Sequence, residues 1–186
     1  MALVPYPEIE DLDPEIRGHI EHFSGEHGRP TLLRTMLAWV PEASAGMDDL
    51  YHPVMENGAL PRRLKELLFV SASHARECQY CTGGHSRFLV EEFGYDPETV
   101  MRMRAGEDVE GLDSGEHALL LFVRRAASEP QATTADDIDD LRALGWTDAE
   151  IVEALAMACH AGYTTTFAQA LHLEWDIDGP EFDGYF

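Results

Sequence analysis

Residues 60–94 read LPRRLKELLFVSASHARECQYCTGGHSRFLVEEFG, and the fold follows from how this stretch is punctuated. Pro61 stands near a helix start, and Leu64, Leu67, Leu68, Phe69 and Val70 recur close to the helical period. Together they predict a helix from about Arg62 to His74. A second apolar run, Phe88, Leu89, Val90 and Phe93, stops at Gly94, the residue type expected just past a helix C-terminus. A turn at about Ala75 to Glu77 then joins two antiparallel helices, with Cys78 at or near the start of the second.

This hairpin gathers chemistry. Glu66, Cys78, Cys81 and His85 lie within twenty residues, and the hairpin lets Glu66 and His85 approach from opposite arms. Cys78 and Cys81 stand three apart, so on a first helical turn they share a face at a separation that suits a disulfide. A helix N-terminus carries partial positive charge and unsatisfied N–H groups, which favour thiolate over thiol. His85, one turn after Cys81, shares its face. On this reading Cys81 is the attacking thiolate, Glu66 and His85 relay the proton, and Cys78 is the resolving or exchanging thiol. Two plainer readings stand beside it, an inert buried thiol pair and a zinc site of His74, Cys78, Cys81 and His85. On one continuous helix those four span about 16 Å, too far for ligands each about 2.0–2.3 Å from one ion. No metal and no bound cofactor is expected; the redox group is the Cys78–Cys81 disulfide.

Composition narrows the setting. The 186 residues suit a single domain over 1–186, with a core at about 30–175, an extended lead-in at 1–12 and an acidic, aromatic tail at 176–186. There is no run of eighteen apolar residues and no basic, apolar leader, so a cytoplasmic protein is expected. Three cysteines do not make a secreted disulfide framework, and a reversible disulfide in a reducing compartment fits better. The 35 acidic residues outnumber 13 basic ones, of which only Lys65 is lysine, and the net charge of -22 makes nucleic acid and anionic membranes poor partners. The same balance suits a salty cytoplasm, where counterions screen self-repulsion. Molar potassium chloride is accordingly expected to raise the thermal midpoint above its value in dilute buffer; equal midpoints would refute a halophilic adaptation.

Strand signals are weak throughout, so the chain is read as all-α. Asp13-Pro14 starts a helix that fades before Gly28 and Pro30, followed by candidates at Thr31 to Val40 and Glu42 to Met55 and a long last helix from about Asp148 to His172. A degenerate internal repeat aligns Glu66-Leu-Leu-Phe-Val70 and Phe93-Gly-Tyr-Asp-Pro97 with Leu119-Leu-Leu-Phe-Val123 and Leu144-Gly-Trp-Thr147. Asp96 before Pro97, and Thr147 with Glu150, have the spacing of helix caps. The second unit has no thiols and is read as structural. Cys159 is expected to be a buried small hydrophobe, diverging from its neighbour His160. His117 and His172 are expected at the surface or an interface rather than as ligands.

The Glu66, Cys78-Gln-Tyr-Cys81 and His85 spacing resembles the AhpD-like alkylhydroperoxidases of the carboxymuconolactone decarboxylase superfamily, in particular its peroxidase-related branch, over about Pro30 to Trp175. The resemblance implies an AhpD-like helical bundle and a homo-oligomer. It also implies reduction of a hydroperoxide substrate, with Cys81 as the peroxidatic thiol, Cys78 as its disulfide partner and Glu66 with His85 as the relay. Recycling falls to a dithiol, thioredoxin-like or lipoyl-type reductant. Where the characterised AhpD enzymes have a second histidine before the later cysteine, this chain has Tyr80, an auxiliary group that shuttles protons poorly at neutral pH. A non-enzymatic redox sensor or structural oligomer, and a lactone decarboxylase, remain the alternatives; the latter generally lack the cysteine pair.

Overall fold

The computed structural model describes residues 1–27 and 31–174. The proposed tail at 176–186 and the Gly28 to Pro30 break lie outside them. Among the described residues all regular structure is helical: α1 (Pro14–His27), α2 (Leu32–Leu37), α3 (Pro41–Tyr51), α4 (Arg62–Ala75), α5 (Gln79–Glu91), α6 (Pro97–Arg104), α7 (Ser114–Ser128), α8 (Ala135–Ala143) and α9 (Asp148–Ala170). The all-α expectation holds. The segment expected as one helix over Glu42 to Met55 instead splits into α3 and a π-helical turn, His52–Glu56, and the candidate at Thr31 to Val40 shortens to α2 behind a Thr31 cap. Pro53 explains the first change, because it has no N–H with which to continue the α-helical ladder.

Helix α4 is the axis of the molecule, packed against α5, α7 and α9. Every residue from Leu64 to Ser73 is buried, which is why its apolar positions run almost continuously instead of as one stripe. Burying all sides of a helix also buries its polar residues, and each must find a partner. Lys65 pairs with Glu153 of α9 at 2.5 Å and donates to the Asn57 carbonyl. Glu153 in turn accepts from the amides of Ala59 and Leu60 at 2.8 and 3.3 Å. The single lysine thus pins the loop ahead of α4 to α9. Gly58 completes this arrangement: it holds a φ of +105°, and a Cβ there would fall on the Glu153 carboxylate.

The two segments aligned in the sequence fall on successive helices, α4–α5–α6 and α7–α8–α9. Gly94 and Gly145 end the middle helix of each unit with φ of +71° and +99°. Each turns the following aromatic amide back onto a helix carbonyl, Tyr95 to Leu89 at 3.1 Å and Trp146 to Leu141 at 3.2 Å. The expected caps form: Asp96 accepts from the Thr99 amide, and Thr147 and Glu150 make a reciprocal capping box. Around Gly84, by contrast, a Cβ would meet nothing within 4 Å, so this chain supplies no close neighbour that requires that glycine.

Candidate active site

The turn at residues 75–77 sets the site. Arg76 caps α4, and Glu77 adopts a left-handed φ of +58°, rare and strained for a residue with a side chain. The chain reverses there, the Cys78 amide donates to the Ser73 carbonyl at 3.0 Å, and Cys78 becomes the N-cap of α5. Both thiols are then buried, at 1% and 4% exposure for Cys78 and Cys81, and neither is in a disulfide. The Cys78 thiol is held below its ordinary range, chiefly because the Cys81 thiol donates to it; burial opposes this, and the backbone of Cys81 and Tyr80 and the charge of Arg76 assist. No conventional cap hydrogen bond closes on the sulfur, so those amides act as oriented dipoles.

This shift has a signed consequence. A folded thiol held below its unfolded value means that the native state binds fewer protons between the two. Reduced-protein stability from this group is therefore complete above the unfolded value and is lost as pH falls through the folded one. Alkylation of Cys78 is expected to titrate below the usual thiol value of about 8.5, and Cys81→Ala to move the midpoint up. A wild-type midpoint at or above the usual value contradicts this.

On the other side of the pair, α4 and α5 bring Glu66 and His85 together as the hairpin reading required. Glu66 is fully buried; its Oε2 lies 2.7 Å from His85 Nδ1 and its Oε1 accepts from Arg62 Nε at 3.0 Å. The carboxylate is held between a cation and an imidazole, which compensates its burial. His85 stacks on Phe69 with ring centroids 3.9 Å apart, so its orientation is set by packing as well as by Glu66. Cys81, one turn before His85, faces α9, with Sγ 3.8 Å from Thr164 Oγ1.

Helix α9 corrects one expectation and adds a residue. Cys159 is exposed, and its neighbour His160 is the buried one, at 3%. Adjacent helical residues point about 100° apart, so only one of the two can face the core. The buried phase of α9, through Met157, Ala161 and Thr164, takes His160 inward and leaves Cys159 on the outer stripe with Val152 and Tyr163. His160 lies 5.9 Å from Phe69 and 6.0 Å from Tyr51 between ring centroids. Burial, with help from the charges of His85 and Arg34, pushes it down to about 4, and its Nδ1 has no hydrogen-bond partner. A neutral imidazole therefore sits beside the Glu66–His85 pair at neutral pH. No apolar stripe along α9 announced it, whereas the spacing of four was the signal for Arg62 and Glu66.

Tyr80 has a structural tie: its hydroxyl accepts from the Leu33 amide at 3.1 Å and its ring packs beside Leu33, Leu37 and Met47. His74 lies 3.0 Å from Arg124 Nη1. His117 reaches the Gly106 carbonyl at 3.1 Å, and His172 is exposed just past α9. Among the described residues no group of three or more His, Cys, Asp or Glu is placed to hold a metal. Beside Cys78 a cavity of about 380 Å³ opens between His74, Thr82, Arg104 and Arg124.

Fold and site define an all-helical protein with a Cys-x-x-Cys at a helix start and a buried carboxylate–imidazole pair behind it. Residues 41–124 match the carboxymuconolactone decarboxylase family model. Among solved structures it is similar to an uncharacterized peroxidase-related protein with an AhpD core from Ralstonia eutropha JMP134, with 21% identity, TM-score 0.85, and 100% of this chain and 97% of that one covered. It is similar also to a peroxidase-related protein from Silicibacter sp. TM1040, with 20% identity, TM-score 0.83, and 98% and 94% covered. The debrominase Bmp8 has 17% identity, TM-score 0.83, and 99% and 98% covered. No curated protein matches. Among the described residues no helix is long and apolar enough to cross a membrane.

Proposed function

We propose that this chain is a thiol-dependent peroxidase of the AhpD type, which reduces hydroperoxides through Cys81 and Cys78 and is regenerated by a dithiol donor. The observation that carries this reading is the 2.7 Å contact between buried Glu66 and His85, one helical turn from Cys81 and its neighbour Cys78. The Cys81 thiolate attacks the distal peroxide oxygen, forming the sulfenic acid and releasing an alkoxide. His85, oriented by Glu66, supplies the proton that alkoxide takes up. The Cys78 thiol then attacks the Cys81 sulfur, a disulfide forms, and the hydroxide expelled takes the Cys78 proton and leaves as water. A dithiol returns two electrons by thiol–disulfide exchange. The match of residues 41–124 to the carboxymuconolactone decarboxylase family and the peroxidase-related proteins of like fold support the same class. A homo-oligomer belongs to this reading, and Val152, Cys159 and Tyr163 give α9 an exposed stripe on which a second copy would pack.

The test is tert-butyl hydroperoxide added to the reduced protein in high salt, first alone and then with dithiothreitol. One equivalent of peroxide is expected to remove two titratable thiols and leave Cys159, and dithiothreitol to sustain turnover. Peroxide left unconsumed with both thiols intact overturns the reading.

A further inference from the structure

The cavity beside Cys78 has an electrostatic character opposite to that of the chain. Arg104 and Arg124 line it, against one carboxylate, Glu77, at its edge. Burial pushes both guanidiniums down from their usual range. Arg124 spends only Nη1 within the chain, donating to the Arg104 carbonyl at 2.6 Å and to His74 Nδ1 at 3.0 Å. Among the described residues its Nε and Nη2 donors have no partner, and no ion pair joins it to a carboxylate. Because Arg124 is always a donor, His74 Nδ1 is the acceptor, which puts the His74 proton on Nε2 as a further donor. Thr82 lines the same space with its Oγ1 buried and without a hydrogen-bond partner. A partly desolvated cation with no counter-ion is costly, and an anionic ligand relieves that cost.

We infer that this cavity is the docking site of the electron donor, and that it selects a small dithiol carrying a carboxylate on the same short chain, bound by Arg124 with His74 and Thr82. The inference rests on the redox reading of Cys78 and Cys81. The volume, about 380 Å³, lies at the small end of ligand pockets and suits such a molecule. Cys78 forms part of the wall, and Cys81 lies on the side facing α9. A donor thiolate arriving here attacks Cys78 Sγ, the Cys78–Cys81 bond breaks, and Cys81 leaves as a thiolate. The second donor thiolate then attacks the donor sulfur of the mixed disulfide and releases the Cys78 thiolate and a cyclic donor disulfide. Two electrons pass from donor to protein, and the two protons of the donor thiols are released for the new thiolates to take up.

Dihydrolipoate and dihydrolipoamide test this, because they share the dithiol and differ in the carboxylate. The protein is first oxidised with diamide and the Cys78–Cys81 disulfide confirmed by peptide mass; failure to form it refutes the redox reading itself. The rate of disulfide reduction by each donor is then followed by quenching with an alkylating agent. With a net charge of -22, general repulsion alone favours the neutral amide. The acid is expected to be faster by about tenfold, the scale of one charge-assisted hydrogen bond. Arg124→Gln is expected to bring that ratio to one or below, and Arg124→Lys to retain most of it. Thr82→Val, which leaves the Arg124 contacts in place, is expected to lower the ratio as well. Equal rates for wild type, or an acid preference unchanged in Arg124→Gln, overturn the inference.

Discussion

Replacing Cys81 by serine is expected to bring peroxide turnover down to the uncatalysed rate while leaving the fold intact. Serine is smaller than cysteine and also donates a hydrogen bond, so the contacts to Thr164 and Cys78 lose little and no cavity opens on the α5–α9 seam. What disappears is the sulfur that accepts oxygen. Cys78→Ser isolates the first half of the reaction. One equivalent of peroxide is then consumed, Cys81 gains one oxygen by intact mass, and turnover stops because no thiol is placed to condense with the sulfenic acid. The comparison also separates the two sulfurs, because Cys78 is the one held below the usual thiol range. In the proposed mechanism Cys81 attacks once its proton has passed to Cys78. Turnover surviving in Cys81→Ser, with the first equivalent lost in Cys78→Ser, would exchange the roles.

Glu66→Gln is expected to lower turnover by about 10²–10⁴, the usual worth of a positioned acid–base group. The substitution keeps the volume and leaves an oxygen to accept from Arg62. It replaces the acceptor facing His85 Nδ1 at 2.7 Å with a group that is uncharged and can present N–H instead. The imidazole then loses the anion that orients it and stabilises its protonated form, so it no longer delivers a proton readily to the leaving alkoxide. Disulfide reduction by dithiothreitol and alkylation of Cys78 do not pass through that proton and are expected to stay near wild type. A fall of less than threefold in peroxide turnover, or equal losses in all three assays, would remove Glu66 from the relay.

Much of this was legible along the chain because it is local. Helix periods, caps and the glycine stops place Cys78 at the start of α5, and Glu66 and His85 on facing arms, since a hairpin with a three-residue turn leaves its arms few other registers. The sites of the two helix caps at Asp96 and Thr147 were readable for the same reason: a cap is a contact between residues three apart. The residues that were misplaced or missed belong to contacts between distant segments. Cys159 and His160 are adjacent on a helix rich in small residues, and alternating alanines do not announce which face is the buried one. Lys65 read as one unusual residue in an acidic chain, and its meaning came from Glu153, nearly ninety positions away.

The primary structure therefore settles the all-helical class, the hairpin, the thiol pair and its acid and imidazole, because each depends on spacings of three to a few tens of residues on regular helices. Packing of α4 against α5, α7 and α9 settles which groups are desolvated. It turns His160 inward and Cys159 outward, and it sets Arg124 against His74 beside Cys78, so that the two sulfurs face different surroundings. Burial and the charges brought in from other helices decide how a group titrates and what it can bind, and both depend on neighbours that the linear chain keeps apart.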